Sequence, residues 1–220
     1  MKTALIFGSS GLIGSHLTKQ LIENSSYSKV KLFVRADPKI NNPKIQVIKT
    51  DFNNLQNHKD DITGDDCFFC IGTTKQNTPN REEYRKIEYN IPVEIARIAK
   101  SNSINSFLYV SSGFADPKSS GVYLKNKGDV EEELKKLNFL TLGIMRPSFL
   151  MGDRKENRIG EKIGIFFFKL ISPFFFGPLK KMKPIHSEKV AKAMIKISNE
   201  RQEKIIFESN EIVELALNQT

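Results

Sequence analysis

Residues Thr3 to Gly14 read Thr-Ala-Leu-Ile-Phe-Gly-Ser-Ser-Gly-Leu-Ile-Gly: an apolar run that meets three glycines and then continues as an amphipathic helical pattern from Leu12 to Ile22. Few other local sequences constrain a chain so strongly. Glycine, lacking Cβ, lets the backbone take positive φ, approach a phosphate closely and seat a helix tightly on a strand. The exposed amides and dipole of the helix N-terminus then face an anion. A dinucleotide site follows, with Gly8, Ser10, Gly11, Leu12, Ile13 and Gly14 around the pyrophosphate. The spacing is G-x-x-G-x-x-G and departs from G-x-G-x-x-G, so its weight comes from context, the turn of a first strand–helix unit.

Downstream, Lys29 to Arg35 reads as a second strand and Lys44 to Ile48 as a third. The residue closing the second strand of a dinucleotide fold discriminates cofactors, an acid binding the ribose hydroxyl and a base the 2′-phosphate. Here it is Arg35, which favours NADP(H), while Asp37 leaves NAD(H) open. Asp51-Phe52 after the third strand suits an adenine, carboxylate to the amine and ring to the face. Cys67 to Ile71 forms a fourth strand running into Gly72-Thr73-Thr74, small residues at the strand edge where ligands sit. A helix is expected from Arg81 to Ser101, bent at Pro92. Ser106 to Ser112 is a fifth strand, Val122 to Leu137 a helix, and Phe139 to Arg146 a sixth strand ended by Pro147. This alternation predicts an α/β fold, a doubly wound parallel sheet in three α/β/α layers. One domain over 1–220 accommodates it, with residues 1–150 as the cofactor-binding core and 151–220 as a smaller substrate-side segment.

Lysine and arginine outnumber acids by 34 to 25, but the basic residues are scattered without an Arg-rich tract, so no nucleic-acid partner is expected. Cys67 and Cys70 form C-x-x-C within a strand, where positions three apart face opposite ways; they read as buried structural thiols, unlike a redox pair at a helix N-terminus. Met1-Lys2 enters a core strand at once, giving the expectation of a cytoplasmic chain without a cleavable leader. Residues 163–183 carry six phenylalanines and end in lysines. Lys169, Pro173, Gly177 and Pro178 interrupt them too often for a membrane span. Three roles stay open for this stretch: a core cover, the wall of an apolar pocket, or a peripheral membrane contact.

Tyr123 and Lys127 lie four residues apart on a predicted helix, one face of it, with Ser111 and Ser112 eleven to twelve residues upstream at a strand end. A phenol works as an acid–base group at neutral pH when nearby positive charge stabilises the phenolate. A serine hydroxyl at the adjoining strand can bind the same substrate oxygen. About half of one Tyr-x-x-x-Lys is expected by chance. The second match, Tyr27 and Lys31, straddles a loop and a strand and shares no helical face.

Taken in order, the glycine turn, Ser111-Ser112, Tyr123-x-x-x-Lys127, Arg146-Pro147 and Pro184-Ile185-His186 resemble an atypical short-chain dehydrogenase/reductase. The runs Cys67 to Thr74 and Tyr123 to Glu131 resemble its branch of Tat-interacting-protein-like oxidoreductases. The resemblance implies an NAD(P)-binding Rossmann domain, with Tyr123 as general acid–base and Lys127 tuning it and holding the nicotinamide ribose. Either Ser111 or Ser112 would position the substrate oxygen, and Pro147 would border the nicotinamide. Asn90 falls on the helix where related enzymes often carry an active-site Asn. The expected activity is hydride transfer between nicotinamide and a carbonyl or alcohol of a small, rather apolar substrate, with no metal. Two other readings are a nucleotide-sensing protein with little turnover and a sugar-nucleotide epimerase, for which the 74 residues after Arg146 are few.

Overall fold

Seven parallel strands set the frame of the computed structural model, which describes residues 1–151, 184–200 and 202–217. They are β1 (Lys2–Phe7), β2 (Tyr27–Val34), β3 (Ile45–Lys49), β4 (Asp66–Phe69), β5 (Ser106–Val110), β6 (Thr141–Arg146) and, near the end of the chain, a last strand Ile206–Glu208. With Leu150–Met151 as β7 and Ile185–His186 as β8, a separate parallel pair, that last strand is β9. The order across the sheet is β3-β2-β1-β4-β5-β6-β9, so the strand order reverses between β1 and β4. That reversal opens a crevice at the C-terminal edge, beside the glycine turn.

Both faces of the sheet are covered, which explains why β1 and β4 are apolar at every central position rather than alternating. Leu5, Phe7, Phe69 and Tyr109 pack on one side with Ile95, Ile98, Val130 and Leu134. Those partners come from α3 (Ile91–Ser101) and α4 (Val122–Lys136), which follow a short α2 (Arg81–Arg85). On the other side Ala4, Ile6, Phe68 and Leu108 meet Leu17 and Leu21 of α1 (Leu12–Glu23) and Val190 and Met194 of α5 (Ser187–Asn199). A final helix, α6 (Ser209–Leu217), follows β9. Residues 185–217, assigned from sequence to the substrate side, are therefore largely core: α5 shields the sheet and β9 completes its edge beside β6. The phenylalanine-rich stretch 163–183 lies outside the described residues.

Cys67 and Cys70 are free thiols on opposite faces, packed into the two separate clusters. Burial raises both, Cys70 to about 12, so neither offers thiolate at neutral pH. Tyr27 begins β2, inside the strand rather than in the loop before it. Its hydroxyl donates to Asp66 at 2.7 Å and meets Ser198 at 2.9 Å, and Lys2 pairs with the same Asp66 oxygen at 3.1 Å. Tyr27 of the second Tyr-x-x-x-Lys match thus belongs to a structural network at the N-terminal end of the strands, while Lys31 is bound apart from it to the Asp61 and Thr63 carbonyls.

The helix expected over Arg81 to Ser101 is two helices joined by a π-type turn, Lys86–Asn90. Pro92 has no N–H to give, and its ring meets the carbonyl four residues back, that of Glu88. The ladder opens accordingly, and Ile91 N–H reaches back to the Lys86 carbonyl. A widened turn, where a bend was expected, is how the chain absorbs this proline.

The glycine turn is a packing necessity. Gly8 stands at φ +93, and a Cβ on Gly14 would come 2.0 Å from the Gly8 carbonyl oxygen. Gly14→Ala is therefore expected to destabilise the fold by about 1–3 kcal/mol through overpacking. Denaturant unfolding, read as a lowered midpoint at unchanged slope, measures it.

Candidate active site

At the C-terminal edge, α1 starts at Gly11 without a side-chain cap, leaving its first amides for an outside acceptor. Leu12 and Ile13 open that helix, with Ser10 exposed just before it. Inside the turn the Ser9 hydroxyl is buried and has no hydrogen-bond partner among the described residues. Glycine backbone where side chains cannot fit, free helix amides and an orphaned hydroxyl fit the diphosphate of a dinucleotide.

The adenosine end is less as expected. Arg35 lies just past β2, exposed and in no ion pair among the described residues. Asp37 accepts the Lys39 amide in a turn. Asp51 is exposed, its carboxyl held below the ordinary range by hydrogen bonds from Asn53. Phe52 departs from expectation: at φ +61 its ring turns into the core, 6.5 Å from the Phe7 ring centre, and does not present an open face to a base.

On the nicotinamide side, Gly72, Thr73 and Thr74 leave β4 in an open loop. Thr73 is tied to Thr78 by a 2.8 Å hydroxyl contact. Pro147 follows β6, and its carbonyl accepts the Gly113 amide at 2.9 Å, joining the loops after β5 and β6. Tyr123 is half exposed in the first turn of α4, whereas Lys127, one turn on, is almost wholly buried. The Lys127 Nζ lies 6.0 Å from the Tyr123 ring centre and 4.9 Å from that of Tyr109. It donates to the Val110 carbonyl at 3.2 Å and pairs with Glu88 at 3.1 Å. Burial disfavours this ammonium, but Glu88, with the Tyr109 and Tyr123 phenols, outweighs burial and holds its pKa well above the ordinary lysine value.

The two serines part company. β5 ends at Val110, so both lie just beyond it. Ser111 is buried and donates to Glu131 of α4 at 2.5 Å; Arg146 clasps the same carboxylate, Nε to Oε1 at 2.9 Å and Nη2 to Oε2 at 2.5 Å, and approaches Glu208 at 3.6 Å. Ser111 is thereby engaged in a buried network that holds β5, α4, β6 and β9 together. Ser112 is half buried, with only a long 3.3 Å contact to the Gly113 carbonyl.

Asn90 is exposed, in a surface hollow with Tyr89, Val93, Glu94 and Arg97. Two residues earlier in the same π-type turn, Glu88 points inward, its other oxygen accepting the Thr73 amide at 2.6 Å. Sequence reasoning missed Glu88. A signal was present: Tyr84, Glu88, Ile91, Ile95 and Ile98 repeat at helical spacing and are all buried, with one acid within an apolar stripe.

The sequence model of a family described as NAD(P)H-binding matches residues 8–201. The chain belongs to that family. It is homologous to the rat protein HTATIP2, 32% identical over 173 residues, 76% of this chain and 70% of that protein. FMP52 of Debaryomyces hansenii, named mitochondrial, is 33% identical over 208 residues, 90% and 88% of the two chains. The resemblance to the Tat-interacting-protein-like branch of short-chain dehydrogenases thus holds. Cytoplasmic placement does not, because the fungal FMP52 relatives are named mitochondrial. Among solved structures, the Bordetella bronchiseptica enzyme WbmH in complex with NAD+ superposes with a TM-score of 0.71 at 17% identity, covering 98% of this chain and 79% of that one. UDP-glucose 4-epimerase from Thermotoga maritima gives 0.70 at 15%, covering 97% and 81%. At these identities the likeness is one of fold, Rossmann-type α/β.

The unequal serines give a direct test. Ser111→Ala removes a buried hydrogen bond to a charged group and is expected to cost about 1.5–3 kcal/mol. Ser112→Ala is expected to cost about 0.5 kcal/mol or less. Parallel denaturant titrations of the two variants measure the difference.

Proposed function

We propose that this chain is an NADP(H)-preferring oxidoreductase of the short-chain dehydrogenase type, interconverting a carbonyl and an alcohol on a small, largely apolar substrate. One observation carries the reading. A half-exposed phenol and a buried lysine whose pKa is held well above its ordinary value share one helix face at the sheet edge that also bears the glycine turn.

When bound, the nicotinamide supplies or accepts the hydride. The chain's own residues do the rest. The turn from Gly8 to Gly14 holds the diphosphate, and Arg35 answers a 2′-phosphate with a charge-assisted contact. Ser112 orients the substrate oxygen. Tyr123 delivers a proton to that oxygen as the carbonyl is reduced and recovers it when the alcohol is oxidised. Lys127 holds the ribose and lends positive charge beside the phenol. Glu88 shares that charge, so the field at Tyr123 is weaker than a lone ammonium would give, and the positive ring of an oxidised nicotinamide adds to it.

Fluorescence titration with NADPH and NADH tests the cofactor preference. NADPH is expected to bind at least about tenfold tighter, and Arg35→Ser to remove that margin, since a hydrogen bond to a charged group is worth about 1.5–3 kcal/mol. Tyr123→Phe, assayed on a panel of aldehydes and ketones, is expected to lose about 100-fold or more in kcat with cofactor affinity unchanged. Unchanged turnover in that variant rules out the mechanism. Tight cofactor binding with no turnover by the unmodified protein favours a nucleotide-sensing role instead.

A further inference from the structure

Three acids are deeply buried among the described residues, Asp66, Glu88 and Glu131. Asp66 serves the network at the far end of the strands, and Glu131 binds Ser111 and Arg146. Glu88 alone of the three touches both the loop after β4 and the lysine of α4. Its Oε1 accepts the Thr73 amide at 2.6 Å and its Oε2 lies 3.1 Å from the Lys127 Nζ. We propose that Glu88 is a positioning residue for hydride transfer, clamping the Lys127 ammonium to the Gly72–Thr73 loop so that one N–H of the ammonium is aimed at the cofactor ribose. The inference rests on the oxidoreductase reading above.

The geometry supports it in three ways. An ammonium has three N–H groups. The Val110 carbonyl of β5 takes one at 3.2 Å, and the Glu88 carboxylate of the π-type turn draws the ammonium from the other side as an ion pair at 3.1 Å, which leaves N–H groups for the cofactor ribose. The carboxylate reaches this spot because the chain leaves α-helical geometry at Lys86–Asn90, and such π-type turns occur frequently at functional sites. Stability alone does not explain the pair. A buried ion pair is close to neutral against an apolar replacement, so its retention calls for a task that an apolar pair could not perform.

The clamp also sets the protonation of Lys127. The groups facing it are Glu88 from the π-type turn, Tyr109 from β5 and Tyr123 on its own helix; Tyr84 of α2 and Cys70 beyond β4 lie within its electrostatic reach. Of these Glu88 is the one carboxylate and the largest influence that raises the Lys127 pKa, and burial opposes it by disfavouring the ammonium. The sign follows. With Glu88 present Lys127 stays charged through the alkaline range, and with glutamine there it loses its proton below the ordinary lysine value of about 10.4.

The test is Glu88→Gln and Glu88→Asp in the full chain, assayed in the alcohol-oxidation direction with NADP+. Wild type is expected to rise with pH to an alkaline plateau. Glu88→Gln is expected to lose on the order of 100-fold in kcat, more than in KM, and to turn the plateau into a bell. Glu88→Asp restores the plateau while kcat stays depressed, because the shorter carboxylate keeps the charge but not the reach. Lysine ε-carbon NMR over the same pH range reads Lys127 without turnover, expected protonated throughout in wild type and titrating lower in Glu88→Gln. A folded Glu88→Gln with wild-type kcat and plateau, or an unshifted Lys127 resonance, overturns the proposal. Should Glu88→Gln not fold, a Glu88→Asp enzyme with wild-type kcat overturns it equally. Absence of turnover in wild type overturns the oxidoreductase reading and leaves the NMR titration to decide whether Glu88 holds the lysine charge.

Discussion

The closeness of Gly14 to the Gly8 carbonyl is the contact on which the rest of the molecule depends. A Cβ at Gly14 would lie 2.0 Å from that oxygen, so α1 is seated directly against the end of β1. This seating puts the helix N-terminus at the crevice where the strand order reverses. The glycine turn, the loop after β4 and the start of α4 therefore open onto one edge. The opposite end of the sheet is tied by hydrogen bonds and an ion pair among Lys2, Tyr27, Asp66 and Ser198.

Much of the fold was legible because local pattern and tertiary role coincide. Apolar runs such as Leu5 to Phe7 and Cys67 to Phe69 are buried on both faces and punctuated by glycine or small residues, as in a parallel sheet. The cues failed where context overrode them. Pro92 announced an irregularity, but a π-type turn and a bend answer the same missing N–H, and one sequence does not choose between them. β7 and β8 are two residues each, too short for any periodic signal. The C-terminal elements looked remote from the core because their partners, Leu17 and Ile6 among them, lie far away in sequence.

The site divides along the same line. Tyr123 and Lys127 were legible because helical spacing joins them, and the structure adds that one is open and the other deeply buried. Ser111 and Ser112 were indistinguishable by sequence, since the difference is made by Glu131 of α4, 20 residues on, and by Arg146 of β6, a further 15 along. Phe52 looked suited to stacking, but the core beneath the turn claimed its ring. Glu88 was not legible because charge on a helix usually means surface, and its reasons to be inside, Lys127 and the Thr73 amide, lie on other elements.

The central claim is that the glycine turn and Tyr123–Lys127 serve one dinucleotide. A crystal structure of the protein grown with NADPH measures this most directly. The expected result places the diphosphate on the backbone of Gly8 to Gly14, the ribose hydroxyls within hydrogen-bond reach of the Lys127 Nζ, and the nicotinamide beside the Tyr123 phenol. A dinucleotide bound away from the turn, or a nicotinamide directed away from Tyr123, would contradict it.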